Sequence, residues 1–148
     1  MKISTKGRYG LRILLDMALH GNATPRLARD IAESQQISDK YIARLVMKLR
    51  KGGFLRSVRG AKGGFLLARK PMEINLLDVV EAMEGPLSIV DCVERPAQCN
   101  RNSTCVTREI WNRLNAEFRE SMRQITLQEI IDNYQQNNAE NGAIDYCI

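Results

Sequence analysis

Two short capped helices joined by four residues set the tightest limit on what this chain can fold into. Thr24 followed by Pro25 places a capping hydroxyl ahead of a residue whose fixed φ suits a first helical turn. It predicts a helix over 25–34 that buries Leu27, Ala28, Ile31 and Ala32 and turns Arg26, Arg29, Asp30 and Glu33 to water. Ser34-Gln35-Gln36-Ile37 then leads to Ser38, a second cap, and to a helix over 39–51. Turning each residue of that helix by about 100° gathers Ile42, Leu45, Val46 and Leu49 on one side. Lys40, Ala43, Arg44, Met47 and Lys51 gather on the other. One face packs inward and the opposite face is convex and basic, which is the geometry of a helix-turn-helix whose second helix enters a major groove.

The flanking segments complete a small DNA-reading unit. Ser4 or Thr5 caps a first helix over about 6–19, with Leu11, Leu14, Leu15, Ala18 and Leu19 as its apolar stripe and Lys2, Lys6, Arg8 and Arg12 crowding its first half. Gly21-Asn22 ends it, and His20 at that end is expected to be structural. After Gly52-Gly53, the runs Phe54 to Val58 and Phe65 to Ala68 are expected to pair as strands around Arg59-Gly60-Ala61-Lys62-Gly63-Gly64. A glycine-rich hairpin tip with two cations behind a recognition helix is a wing, with Arg59 aimed at a minor groove. A phosphate-binding P-loop is a poor rival, because the glycines lie between strands and no Gly-Lys-Ser/Thr follows.

Charge supports this reading. The net +5 splits at Pro71: residues 1–71 hold 16 Lys and Arg against 4 Asp and Glu, a net +12, and residues 72–148 hold 6 against 13, a net −7. A strongly basic half beside an acidic one points to a polyanion rather than to general stickiness, although a basic solvated face is the plainer alternative. No apolar run is long enough to span a membrane. The residues from Met1 to Gly7 lack a secretory apolar stretch, so a cytoplasmic location is expected.

The second half predicts a helix after Asn75 that buries Leu76, Leu77, Val80 and Met83 and stops at Gly85-Pro86. A turn-rich loop follows, then a long helix over about 105–123 capped by Ser103 or Thr104, with Val106, Ile110, Trp111, Leu114, Phe118 and Met122 in one stripe. Such a stripe on a terminal arm suits a two-fold dimer, with packing inside the chain as the alternative. Thr126 caps a short helix over about 127–134, and the polar run from Gln135 suggests a loose tail.

Three cysteines, Cys92, Cys99 and Cys105, fall in the loop with C-x6-C-x5-C spacing. Structural disulfides do not suit a reducing compartment. Cys105 is expected in the first turn of the long helix, where backbone N–H groups and Arg95, Arg101 and Arg108 favour a thiolate. Structural zinc prefers a Cys-x2-Cys knuckle, absent here, whereas an iron-sulfur cluster accepts wider spacing and a non-cysteine fourth ligand. A cluster, of two-iron or four-iron type, is therefore the favoured reading, with zinc or a bare redox thiol as alternatives. Cys147 is expected to be a spare surface thiol.

The chain resembles the IscR/NsrR/CymR-type winged-helix regulators to about Tyr134. The likeness is carried by Lys6-Gly7-Arg8-Tyr9, Ile37-Ser38 to Leu45, Val58-Arg59-Gly60 with Gly63-Gly64, the three cysteines, and Ile125-Thr126-Leu127. The resemblance implies a mainly α fold with a small β wing, that is, a winged helix-turn-helix domain plus a long C-terminal dimerisation helix. The expected division is a DNA-binding domain over 1–84, a cluster-binding loop over 85–104, dimerisation helices over 105–136 and a tail over 137–148. It also implies a non-enzymatic homodimer on double-stranded operator DNA, read through Lys6, Arg8, Ser38, Lys40, Tyr41, Arg44, Arg59, Gly60 and Lys62. In this picture Cys92, Cys99 and Cys105 hold an iron-sulfur cluster that modulates binding. A thiol-based or metal-free regulator is the alternative, and an iron-sulfur electron carrier a more distant one. The sequence departs from the family where IscR-like members place a histidine ligand, here Arg108, and where NsrR-like members place an acidic residue, here Arg8. The fourth ligand is thus unassigned among Glu109, Asp91, Glu94 and an exogenous thiol or water. Ala43 also stands where many relatives carry glutamate.

Overall fold

The computed structural model describes residues 3–141. Its order is α1 (Thr5–Leu19), α2 (Ala28–Gln35), α3 (Asp39–Lys51), β1 (Leu55–Val58), β2 (Gly64–Leu67), α4 (Leu76–Glu84), α5 (Asp91–Glu94), α6 (Arg108–Gln124) and α7 (Leu127–Asn141). Single 3₁₀ turns occur at Pro71–Glu73 and Pro96–Gln98. Lys2 and Cys147 lie outside the described residues, as does the expected tail beyond 141. No described helix is long and apolar enough to cross a membrane.

The first helix starts where a hydroxyl can take up an orphan N–H: Ser4 Oγ accepts from Lys6 N at 3.1 Å. Its buried face is wider than the expected stripe and includes Ile13, Leu14, Leu15 and Met17. The reason is tertiary, since α2, α3, α4 and α7 all pack against α1, and a helix enclosed on several sides is apolar around most of its girth. The helix-turn-helix turn closes through Gln36, which adopts a left-handed φ of 53° and lets Ile37 N donate to Ala32 O at 3.0 Å. Ile42, Leu45, Val46 and Leu49 of α3 are all buried, as their spacing predicts. They join Ile13, Leu14, Ile31, Phe54, Leu67, Ile74 and Met83 in one core.

Three boundaries differ from expectation. Pro25 does not open α2, which begins at Ala28 instead. The preceding backbone stays extended because Arg26 pairs with the wing: Arg26 N donates to Phe65 O at 3.0 Å and Phe65 N to Arg26 O at 2.8 Å. Arg26 is consequently drawn in from solvent, and Leu27 is exposed rather than buried. The long helix begins at Arg108, not at Cys105, with Thr107 as its N-cap. The last helix runs on to Asn141, through the polar stretch read as loose from Gln135.

That last helix returns to the reader. Leu127 N donates to Ile74 O at 2.8 Å and Leu76 N to Ile125 O at 2.9 Å. Leu127 and Ile131 then bury themselves in the same core as α1 and α3. A smaller cluster, Leu77, Val80, Leu87 and Met122, with Phe118 against it, docks the C-terminal half of α6 on α4. Glu81 and Arg119 reinforce this junction, with Arg119 Nη2 3.2 Å from Glu81 Oε2 and Leu87 N donating to Glu81 Oε1 at 2.9 Å.

Candidate nucleic-acid interface and cysteine loop

The start of α1 is held by a carboxylate from α4. Glu84 Oε1 accepts from Ser4 N at 2.8 Å and from Gly7 N at 3.1 Å. A Cβ at position 7 would lie 2.5 Å from that oxygen, so only glycine permits the contact. Lys6 and Arg8 flank it and are exposed. Next to them, the Tyr9 ring meets the Tyr41 ring edge-on at 6.0 Å, and the Arg12 guanidinium lies over Tyr9 at 5.3 Å. Arg12 Nε also donates to Gln35 Oε1 at 2.9 Å. This stack ties the first turns of α1 to the first turn of α3, and brings Arg8 and Lys40, the chain neighbours of the two tyrosines, to one region.

Sorting the cations by partner separates scaffold from surface. Arg12 is committed to Gln35, Lys48 Nζ to Met83 O at 2.9 Å, Arg50 Nη1 to Ser57 Oγ at 3.1 Å, and Arg69 to the carbonyls of Gly52 and Gly53 at 3.1 Å each. Lys6, Arg8, Lys40, Arg44, Arg59 and Lys62 are exposed, and their side chains have no hydrogen-bond or ion-pair partner among the described residues. The cations singled out in the sequence as DNA contacts are all among those left free, as are Lys51 and Arg101, while Arg12, placed with them, is engaged. Tyr41 is half-buried and supports the stack. Ser38 sits at the N-cap of α3, but its hydroxyl makes no capping bond. Arg56 on β1 is a further exposed, unpartnered cation that the strand pattern left unremarked.

The wing is more than a hairpin. β1 and β2 pair antiparallel from Leu55↔Leu67 to Val58↔Gly64, and the extended segment at Arg26 adds a single antiparallel bridge to the other edge of β2. Gly64 makes this approach feasible: its φ is 147°, and a Cβ there would lie 2.5 Å from Arg26 O. Gly60 at the tip also has positive φ, 108°. Sequence reading missed Arg26 and its ion-pair partner Asp16. The available signal was Asp16 itself, an acid between Leu15 and Met17 on the inward face of a helix.

The cysteine loop lacks such an interlock. Cys92, Cys99 and Cys105 are half-buried and free of disulfides. Cys92 and Cys99 share a cleft of about 250 Å³ with Asp91, Arg95 and Gln98. Cys105 is not among its lining residues, and no three His, Cys, Asp or Glu side chains gather as a metal-binding group among the described residues. Cys105 precedes α6 rather than standing in its first turn, and the largest influence on its acidity is a neighbouring hydroxyl, to which the backbone at the helix start and the Arg108 charge add. The Thr107 hydroxyl, 3.3 Å from the sulfur, and the backbone at Thr107 and Arg108 hold the thiol below its ordinary range. Arg108 Nη1 donates to Asn102 O at 3.3 Å, fastening the loop to the start of α6. The donor set, three free thiols with one acidified, suits an iron-sulfur cluster chemically, and two of the three already open onto one cleft.

Comparison with known proteins supports the fold described above. Residues 3–133 match the family model described as Rrf2, iron-dependent transcriptional regulator. The protein called rrf2 from Nitratidesulfovibrio vulgaris is 40% identical over 131 residues, covering 88% of this chain and 87% of that one. Among solved structures, CymR, described as the global cysteine regulator of B. subtilis, is 35% identical with a TM-score of 0.72, covering 90% of this chain and 98% of that one. The IscR of T. potens is 32% identical with a TM-score of 0.71, covering 97% of this chain and 93% of that one.

Proposed function

The chain belongs to the Rrf2 family of DNA-binding transcriptional regulators, and from that premise we propose that it acts as a homodimer on a two-fold operator, with binding modulated by an iron-sulfur cluster held by Cys92, Cys99 and Cys105. The observation that carries the DNA-contact assignment is the set of exposed, unpartnered cations at the starts of α1 and α3 and at the wing tip. In this reading Lys40 and Arg44 address the major groove with Ser38 at the helix entry, Arg59 and Gly60 enter the adjacent minor groove, and Lys6, Arg8 and Lys62 contact phosphates, with Tyr41 bracing α3.

The modulation reading is supported by where the thiols lie. The loop from Gly85 to Thr107 joins α4 of the reader to α6, whose first half offers an apolar face to a second copy. A dimer must present its two recognition helices about 34–36 Å apart, so ordering of this one connection alters affinity. A bound cluster would supply sensitivity to iron supply, oxidation or nitric oxide; Asp91, which lines the Cys92–Cys99 cleft, is the fourth-ligand candidate this reading favours. Anaerobic purification should yield coloured protein, and holo and apo forms should differ about 5- to 150-fold on an operator at matched salt. Loss of iron in Cys92→Ala, Cys99→Ala and Cys105→Ala, with retention in Cys147→Ala, is the expected ligand pattern.

A second reading is favoured by one observation, an acidified Cys105 that does not line the cleft shared by the other two thiols. There the chain is a thiol-based regulator. A colourless, iron-free protein whose operator affinity changes on mild oxidation and is insensitive in Cys105→Ala would replace the cluster reading with this one.

A further inference from the structure

Asp16 is the one charged or polar residue in the buried set among the described residues, at 6% exposure. Its Oδ1 accepts from Ser34 Oγ at 2.8 Å, and His20 Nδ1 lies 3.6 Å from the same oxygen and 2.9 Å from Asp16 O. The Arg26 side chain, 12% exposed, brings Nη2 to 3.4 Å from Asp16 Oδ2 and donates from the same nitrogen to Asp30 O at 3.1 Å. Asp16 Oδ2 and Arg26 Nη1 have no hydrogen-bond partner. A buried ion pair with unmatched atoms is a poor source of stability, since apolar groups of the same volume do as well or better. Its physical consequence is geometric: a charge sequestered from water tolerates only the arrangement that keeps its counter-charge near.

Arg26 is also where the wing is gripped. Its main chain forms both hydrogen bonds to Phe65, one residue pair short of the tip, because Val58↔Gly64 is the last rung of the hairpin. Farther from the tip, Asn22 holds Leu67 by its side chain, accepting from Leu67 N at 3.0 Å and donating to Leu67 O at 3.3 Å. The segment between α1 and α2 thus braces β2 at two points, and only the outer one is anchored to the helices by a charge.

We propose that Arg26 is a positioning residue for operator binding, its ion pair with Asp16 fixing the wing relative to α3 so that Arg59 and α3 engage adjacent grooves together. This rests on the assignment of Arg59 to the DNA. Arg26→Met keeps the side-chain volume and the main-chain rungs to Phe65 but removes the anchor to α1; Asp16→Asn keeps the shape and the Ser34 bond but removes the counter-charge.

The test is a mutant cycle with Arg59→Ala, read as operator affinity and as minor-groove footprint at the wing flank. Arg26→Met and Asp16→Asn should each weaken operator binding about tenfold and blur the flank footprint, with non-specific DNA binding held within about twofold. Added to Arg59→Ala, either should cost nothing further, because the contact it positions is already gone. If Arg59→Ala alone binds as wild type, the wing assignment fails, and the positioning role with it. If Arg59→Ala weakens binding and Arg26→Met adds its full loss on top, the assignment stands and the positioning role is overturned. Wild-type binding by both anchor variants also overturns it. Should Arg26→Met fail to fold, the isosteric Asp16→Asn decides alone.

Discussion

The reader and the first half of α6 obey opposite packing rules. In the reader, every apolar position of α3 that periodicity turns inward is buried, and even the loop before α2 is stitched to the sheet. In α6 the stripe divides: Phe118 and Met122 pack on α4, while Ile110, Trp111 and Leu114 are 50%, 40% and 40% exposed, as is Val106 just before the helix at 88%. One region is complete within a single chain, and the other presents the kind of apolar surface that soluble chains cover with a partner. The cysteine loop stands between them, with no buried residue from Ile89 to Thr107.

The largest effect should come from breaking the complete region. Leu45→Ala, at a site 2% exposed, is expected to cost about 2–5 kcal/mol in urea unfolding, whereas Leu114→Ala should change the unfolding of dilute single chains by only about 0.5 kcal/mol. Equal costs would erase the contrast. The proposed dimer sharpens it from the other side: Trp111→Ala should weaken self-association by about 2 kcal/mol or more in sedimentation equilibrium, and an unchanged association constant would place the dimer contact elsewhere. At the wing, Arg59→Ala should cost about 1–3 kcal/mol of operator affinity with lost discrimination near the flank, and Lys62→Ala should weaken all sequences alike.

The smallest effect lies at the junction itself. Burial opposes ionisation of Glu81, but the Arg119 guanidinium and the Leu87 N–H outweigh it and hold the carboxyl below its ordinary value. A depressed folded-state pKa contributes stability above the unfolded value that is lost as pH falls through the folded one. Docking of α6 on α4 should therefore loosen on acidification below the usual carboxylate range, and Arg119→Ala should remove that dependence at a cost of about 1 kcal/mol or less near neutral pH. Hydrogen exchange along α6, compared between the two proteins across that range, measures it.

Much of the reader was legible from residue order because its information is local. Ser4, Asn75 and Gly52 mark helix ends through groups within a turn of themselves, and the apolar face of α3 follows from a period of 3.6. The hairpin was legible for the same reason, down to the free cations at its tip. What local pattern misassigned was decided by contacts far along the chain. Thr24-Pro25 is a sound helix start in isolation, yet the edge of β2, forty residues away, offered Arg26 two backbone hydrogen bonds, and extended backbone won. The polar run after Gln135 has little cause to be helical alone, but Leu127 and Ile131 anchor its first turns in the core and helix propagation past them is easy. The stripe on α6 was visible as periodicity, but which half would be covered was not, because a period names a face and only the tertiary fold supplies what lies against it.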